Sequence, residues 1–379
     1  MKRSKIDNYS GVALYSGGTD STLAALLAHE RVDDAPILLL MIDLGEPEGS
    51  TAQARTRAEQ LDWPLRIVDG REEFARDFLA PAIRMRADYW GYPLGTPIGR
   101  AYQCKVALDF LGSLPPIKDT GRLLIHGCTA RQNTRFRIER MARPEAGVVA
   151  CGPLSERVYT RSEKVSLLES FGIVTGPSDD VARDENIFCR ALEGDLLNTL
   201  VDPATLGMYS LVAALDETPD VPEVITITFE EGVPVALDRR AAALHTIIEE
   251  CRTRGATHGI GRICVFEDTV PEIGYKERSI FESPASHILF PAHSYLEAAV
   301  LTKTERTVMR DLRFRWADIV YRGQWFGSEQ SEIRTIADRM TGRLTGVVTV
   351  SLFKGSVTIQ DADIPGSLLL KPGALPGAY

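Results

Sequence analysis

The sequence predicts an α/β protein, with a parallel-sheet N-terminal domain over residues 1–165 and an α+β domain over residues 166–379. Three observations carry that expectation. Apolar runs of strand length alternate with amphipathic helical stretches in the first part of the chain, the pattern of a parallel sheet covered on both faces. The first apolar run ends in two adjacent glycines and opens directly into a helix pattern. Beyond about residue 165 the spacing changes to period-two alternation broken by turn signals, which marks antiparallel hairpins.

GVALY (residues 11–15) suits a buried parallel strand. STLAALLAHE (21–30) has helical spacing, with Leu23, Leu26 and Leu27 on one face and Ser21 or Thr22 placed to cap its start. APILLLMIDLG (35–45) reads as the second strand, STAQARTRAEQL (50–61) as an amphipathic helix and PLRIVDG (64–70) as the third strand. EEFARDFLAPAIRMRADYW (72–90) is helical, with Pro81 forcing a break or kink. AYQCKVALDFLGSL (101–114) is another helix and RLLIHGCT (122–129) the next strand. In the second part, 224–238 and 345–364 read as hairpins, 239–255 and 286–321 as helical, and the Pro/Gly-rich tail 365–379 as irregular.

Composition narrows the function classes. The 379 residues carry a net charge of −9, with 44% hydrophobic and 25% charged residues, ordinary for a soluble globular protein. An acidic balance disfavours a broad nucleic-acid or anionic-membrane surface. No apolar run reaches spanning length, and no apolar signal region follows the basic start, so a cytoplasmic protein is expected. The six cysteines form no CxxC pair, which leaves reduced thiols as the expectation. The histidines at 126, 245, 258, 287 and 293 show no ligand spacing.

The stretch ALYSGGTDST (13–22) carries the chemistry. A strand, a glycine turn and a helix N-terminus together make an anion site, because free amides and the helix dipole point at the ligand. Ser16, Ser21 and Thr22 add hydroxyl donors. Asp20 beside phosphates calls for a Mg²⁺ between them. The spacing is neither a Walker loop nor GxGxxG.

This stretch resembles the PP-loop of the ATP pyrophosphatases, and nearly the whole chain resembles the argininosuccinate synthase family. LYSGGTDST is similar to the family's AYSGGLDTS. EEFARDF and GYPLGTPIGR resemble the segment before and through its first substrate loop, and HGCTARQNTRFRIE resembles HGATGKGNDQVRFE. DENIFCRALEG, HGIGRICVFED, SIFESPA and LFKGSVTI follow in the family's order. The resemblance implies a parallel-sheet adenine-nucleotide-hydrolase-like (HUP) N-terminal domain and a synthetase domain. It implies a ligase that cleaves ATP to AMP and pyrophosphate, with Mg²⁺: a ureido oxygen is adenylated, and an amine then displaces AMP to form the carbon–nitrogen bond. It also implies small amino-acid-like substrates and a homo-oligomer, dimer or tetramer, since the family's C-terminal helical arm would begin about where this chain stops.

Carried over by position, Leu14, Tyr15, Ser16, Gly17, Gly18, Thr19, Asp20, Ser21 and Thr22 wrap the triphosphate, with Ile42 near the adenine and Gly127 near the nucleotide. The aspartate loop holds Thr129, Asn133 and, in place of an acid, Thr134. For the citrulline site Tyr92, Arg137 and Glu267 match. Pro97, Ala182 and Ala191 occupy positions of serines, and Phe281 that of a tyrosine. Hydroxyls and a carboxylate are thus removed, with Arg131, Arg135, Arg183 and Arg190 as candidate replacement donors.

The expectation is therefore an ATP-dependent C–N ligase acting on a modified substrate in a specialised biosynthetic pathway. The alternatives are a genuine argininosuccinate synthase, a PP-loop sulfur transferase using Cys128, and a non-catalytic nucleotide-binding protein.

Overall fold

Five parallel strands build the N-terminal sheet: β1 (Gly11–Leu14), β2 (Ile37–Asp43), β3 (Leu65–Asp69), β4 (Arg122–Ile125) and β5 (Val148–Cys151), in the order β3-β2-β1-β4-β5. The computed structural model describes residues 11–32, 36–114, 121–130, 132–142, 147–174, 181–268 and 274–370. β2 is apolar on both faces. Leu38, Leu40 and Ile42 join the larger core, while Ile37, Leu39 and Met41 join a second cluster beneath α1 (Thr19–Arg31) and α2 (Ser50–Leu61). That two-sided burial is why the strand reads as one unbroken apolar run.

Pro81 acts through the turn before it. The helix starts as α3 (Arg71–Glu73), widens into a π segment (Phe74–Leu79) and resumes as α4 (Ala80–Met85), with Pro81 in the first turn of α4. The wider turn removes the hydrogen bond that proline cannot make. α5 (Gly95–Gly112) begins six residues ahead of the sequence expectation, at a Leu94 cap in the left-handed region. β5, α6 (Asn133–Met141) and α7 (Arg161–Ser170) complete this half. β5, α6 and α7 were not expected from pattern.

The second half contains two antiparallel sheets. One has the order β10-β9-β8-β13-β14, from β8 (Glu223–Glu230), β9 (Val233–Leu237), β10 (Arg240–Ala241), β13 (Gly346–Phe353) and β14 (Ser356–Asp363). It contains both expected hairpins. The other has the order β11-β12-β7-β6, from β6 (Ala182–Glu185), β7 (Arg190–Glu193), β11 (Arg262–Asp268) and β12 (Lys276–Glu282). Four helices flank them: α8 (Leu244–Thr257), α9 (Pro284–Val300), α10 (Lys303–Tyr321) and α11 (Ser328–Thr341).

Two helical expectations are corrected. Residues 239–255 begin as the short strand β10 before α8 starts. Residues 286–321 are two helices: α9 ends at Val300, and Thr302 opens α10 with a reciprocal capping box to Glu305. The tail is irregular over 364–370, and 371–379 lie outside the described residues.

Candidate active site

The glycine loop follows β1 and the His-Gly loop follows β4, two adjacent strands flanking the point where the strand order reverses. In open parallel sheets, ligands bind in the crevice outside the carboxyl ends at such a point. Gly17 has φ +75°, and a Cβ there would lie 2.5 Å from the Ala54 Cα of α2. Only glycine fits. Gly18 caps α1, and no side chain caps that helix. The expected hydroxyl cap is thus absent, because Ser21 and Thr22 are used differently. Ser21 Oγ accepts from the Ser16 amide at 3.3 Å and donates to the Gly18 carbonyl at 3.2 Å. Thr22 donates to the Tyr15 hydroxyl at 3.3 Å. The first amides of α1 have no intrahelical acceptor, which suits a phosphate tail.

Thr19 opens α1, and Leu14 ends β1. Lys164 on α7 reaches Asp20 at 2.8 Å. Gly127 is pressed against this turn: a Cβ there would lie 2.8 Å from the Ser21 backbone nitrogen. Ile42 is buried in the core with 3% of its surface exposed. His126 accepts from the Cys128 amide, and burial followed by nearby Arg135 and Arg100 holds its pKa down to about 4. It is a neutral structural residue. Burial pushes the Cys128 thiol up to about 12, so it is no thiolate at neutral pH and does not suit a sulfur carrier. No group of three metal-ligating side chains occurs among the described residues.

The remaining expected residues meet where the N-terminal domain faces the β11-β12-β7-β6 sheet. Alternation along the strands puts Ala182, Ala191, Glu193, Phe281 and Glu267 on one face. Phe281 pairs with Ala191 across the ladder and stacks on Tyr92, with ring centroids 4.3 Å apart. The Tyr92 hydroxyl is buried without a hydrogen-bond partner, as is that of Thr96 one residue before Pro97. Arg137 is buried, lies 3.6 Å from the Glu267 carboxylate, and keeps one guanidinium nitrogen without a hydrogen bond. Asn133 donates to the Asp268 carbonyl at 3.1 Å, Thr134 is buried beside it, and the Thr129 amide bonds Gln132. Glu193, next to these, has its pKa pushed up by burial and then by Glu267.

The replacement arginines are largely engaged elsewhere. Arg135 binds Glu139 at 2.8 Å and the Ser155 carbonyl. Arg190 points to the opposite face of β7, where Glu185 holds it at 2.6 Å. It lines a groove of about 1160 Å³ there, together with Arg252, which also binds Glu185. Arg183 is exposed on β6, and Arg131 lies outside the described residues. Sequence reasoning missed Arg100, which pairs with Asp184 at 2.9 Å, and Tyr321 at the end of α10. Its place at the end of the GYPLGTPIGR stretch was a usable signal for Arg100. No local pattern marked Tyr321.

A glycine loop at the switch point of a doubly wound sheet, faced by a second domain that supplies buried polar side chains, defines an α/β nucleotide-dependent enzyme. More specifically, this chain belongs to the argininosuccinate synthase family. Residues 11–174 match the arginosuccinate synthase N-terminal HUP domain and residues 182–371 the C-terminal domain. It is 33% identical over 360 residues to argininosuccinate synthase of Methanothermobacter thermautotrophicus, covering 94% of this chain and 88% of the relative. It is 32% identical to that of Methanopyrus kandleri, covering 94% and 90%. A solved U34-tRNA thiolase from Methanococcus maripaludis overlaps 45% of this chain and 59% of its own at 17% identity, with a TM-score of 0.27. Members of the family are ATP-dependent ligases that form carbon–nitrogen bonds and release AMP and pyrophosphate. Among the described residues no helix is long and apolar enough to cross a membrane.

Proposed function

We propose that this chain ligates an amine to an acceptor other than citrulline, after adenylating a ureido, carbonyl or carboxylate oxygen of that acceptor. The amine comes from an aspartate-like donor. The observation that carries this reading is the cross-strand pair of Ala191 and Phe281 beneath Tyr92. The family has a hydroxyl at both positions, and an acid where Thr134 stands. A buried polar ligand group left without its partner costs about 1–3 kcal/mol, so several such losses weaken citrulline binding by orders of magnitude.

The residues divide the work. The loop from Leu14 to Thr22 holds the triphosphate, with Ile42 and Gly127 beside the nucleotide. Asp20 would hold Mg²⁺, which is commonly bound by one or two carboxylates plus phosphate oxygens, and the ion would supply neutralisation of phosphate charge. Lys164, already on Asp20, adds a second cation there. Arg137 offers its free donor to the acceptor oxygen, and Tyr92, Glu267 and Phe281 shape the acceptor pocket. Thr129, Asn133 and Thr134 face the amine donor. The reading includes a cytoplasmic homo-oligomer with small-molecule substrates and a domain division near residue 165.

One observation favours a second reading, that of a genuine argininosuccinate synthase: relatives of that name align over 94% of the chain. Pyrophosphate release from Mg-ATP, with mass spectrometry of the products, separates the two. The proposal expects pyrophosphate with a ureido, carbonyl or carboxylic acceptor and only trace argininosuccinate from citrulline and aspartate. Efficient turnover of that pair at metabolite concentrations rejects it in favour of the second reading.

A further inference from the structure

Tyr321 lies 40 residues beyond Phe281, the last of the other site residues in the chain, yet it touches most of the candidate acceptor site. Its hydroxyl donates to the Glu267 carboxylate at 2.9 Å and accepts from Asn133 at 3.3 Å. Its carbonyl accepts from Arg137 Nε at 2.8 Å, and the Arg137 guanidinium lies over its ring at 4.6 Å. The ring stacks on Tyr89 at 4.5 Å and meets Tyr92 edge-on at 6.0 Å. Two residues on, Gly323 at φ +74° lets the chain pass Arg137: a Cβ there would lie 2.6 Å from the Arg137 Cα. A filler side chain would need none of these polar contacts. Tyr321 instead satisfies a buried carboxylate and a buried guanidinium at once, and leaves each with capacity for a ligand.

We infer that Tyr321 is a positioning residue for the ligation reaction: it fixes Glu267 and Arg137 in the geometry that binds the acceptor, and ties both to the 89–92 loop. The inference rests on the proposed ligase reading. It places the control of acceptor binding at the last turn of α10, outside every motif of the glycine loop and the substrate loops. The ring and the carbonyl hold Arg137; the hydroxyl holds Glu267. The two functions are separable by substitution.

The test is Tyr321→Phe, which keeps the ring and the carbonyl, alongside Tyr321→Leu, Glu267→Gln and the double variant Tyr321→Phe/Glu267→Gln. Steady-state pyrophosphate release is measured with citrulline and aspartate, and with whichever ureido or carboxylic acid of the substrate panel gives the highest rate. Tyr321→Phe is expected to raise the acceptor KM about tenfold or more, the effect of one hydrogen bond to a charged group. KM for ATP stays at its wild-type value, while the melting temperature falls because a buried carboxylate loses its donor. In the Glu267→Gln background the same change is expected to cost less than about threefold, because its partner is already altered. Equal losses in both backgrounds, an unchanged acceptor KM, or a parallel rise in KM for ATP overturns the inference while leaving the ligase reading intact. A wild type inert with every acceptor overturns both.

Discussion

Two glycines of the loop differ sharply in what they tolerate. Gly17 sits in the left-handed region against the α2 backbone, whereas Gly18 has φ −75° and meets nothing nearer than the Ser16 hydroxyl at 3.3 Å. Gly17→Ala carries about 1–2 kcal/mol of backbone strain and a clash with Ala54 besides. It is expected to lower ATP affinity at least about tenfold and to lower the melting temperature. Gly18→Ala is expected to fold like the wild type. Titration with a fluorescent ATP analogue and a thermal scan decide both; equal behaviour of the two variants contradicts the argument. The loop was legible in the sequence because glycines, hydroxyls and one acid are local signals. Which glycine is irreplaceable was not, since the obstacle comes from Ala54 in another helix. Tyr321 was hidden for the same reason, its carbonyl lying 184 residues from its partner Arg137.

Among the elements, the α/β alternation of the first half was readable as far as β4 because the strands up to that point are apolar runs and the helices between them periodic. The sheet that faces the site was not. β6 and β7 are four residues each, ARDE and RALE, too short and too polar for period-two alternation to stand out. Their pairing brings Ala191 beside Phe281, a neighbourhood that no spacing in the chain announces. Restoring both hydroxyls, Ala191→Ser with Phe281→Tyr, is expected to raise kcat/KM for citrulline at least about tenfold, as each recovered hydrogen bond contributes about 0.5–1.5 kcal/mol. Product mass spectrometry checks it, and no gain counts against a citrulline site lost through these positions. α7 offers a separate prediction. Thr160 caps it reciprocally with Glu163, and its Lys164 reaches Asp20. Thr160→Ala is expected to cost about 1 kcal/mol of stability and to weaken ATP binding when the end of α7 frays. Urea unfolding and nucleotide titration on the same sample test the pair of effects.

At the scale of the whole molecule, buried titratable groups oppose one another with pH. His126, held down to about 4, binds a proton in the unfolded chain first, so its contribution is full above about pH 6.5 and is lost as pH falls towards 4. Glu46, pushed up to about 7 by burial and then by Asp184, acts the other way. It is protonated in both states below about pH 4.5, and it costs stability as pH rises through 7. Glu46→Gln is therefore expected to stabilise the protein at pH 8 by up to about 3 kcal/mol, less what partial exposure screens, and to leave it unchanged below pH 4.5. His126→Gln is expected to flatten the acid side of the profile. Denaturant midpoints between pH 4 and 8 measure both; a Glu46→Gln effect that grows towards acid pH would reverse the assignment.

The ladder pairing of Ala191 with Phe281 also bears on how such a site changes over generations. If the two positions face one ligand edge, as proposed, their side chains do not drift independently. Once either hydroxyl is gone, the other has lost its companion at the ligand, and its removal meets little selection. Reversal is harder, because a single restored hydroxyl recovers only part of the ligand's hydrogen bonding. The pair therefore behaves as a ratchet: lineages pass through it readily in one direction, and return only by a double step.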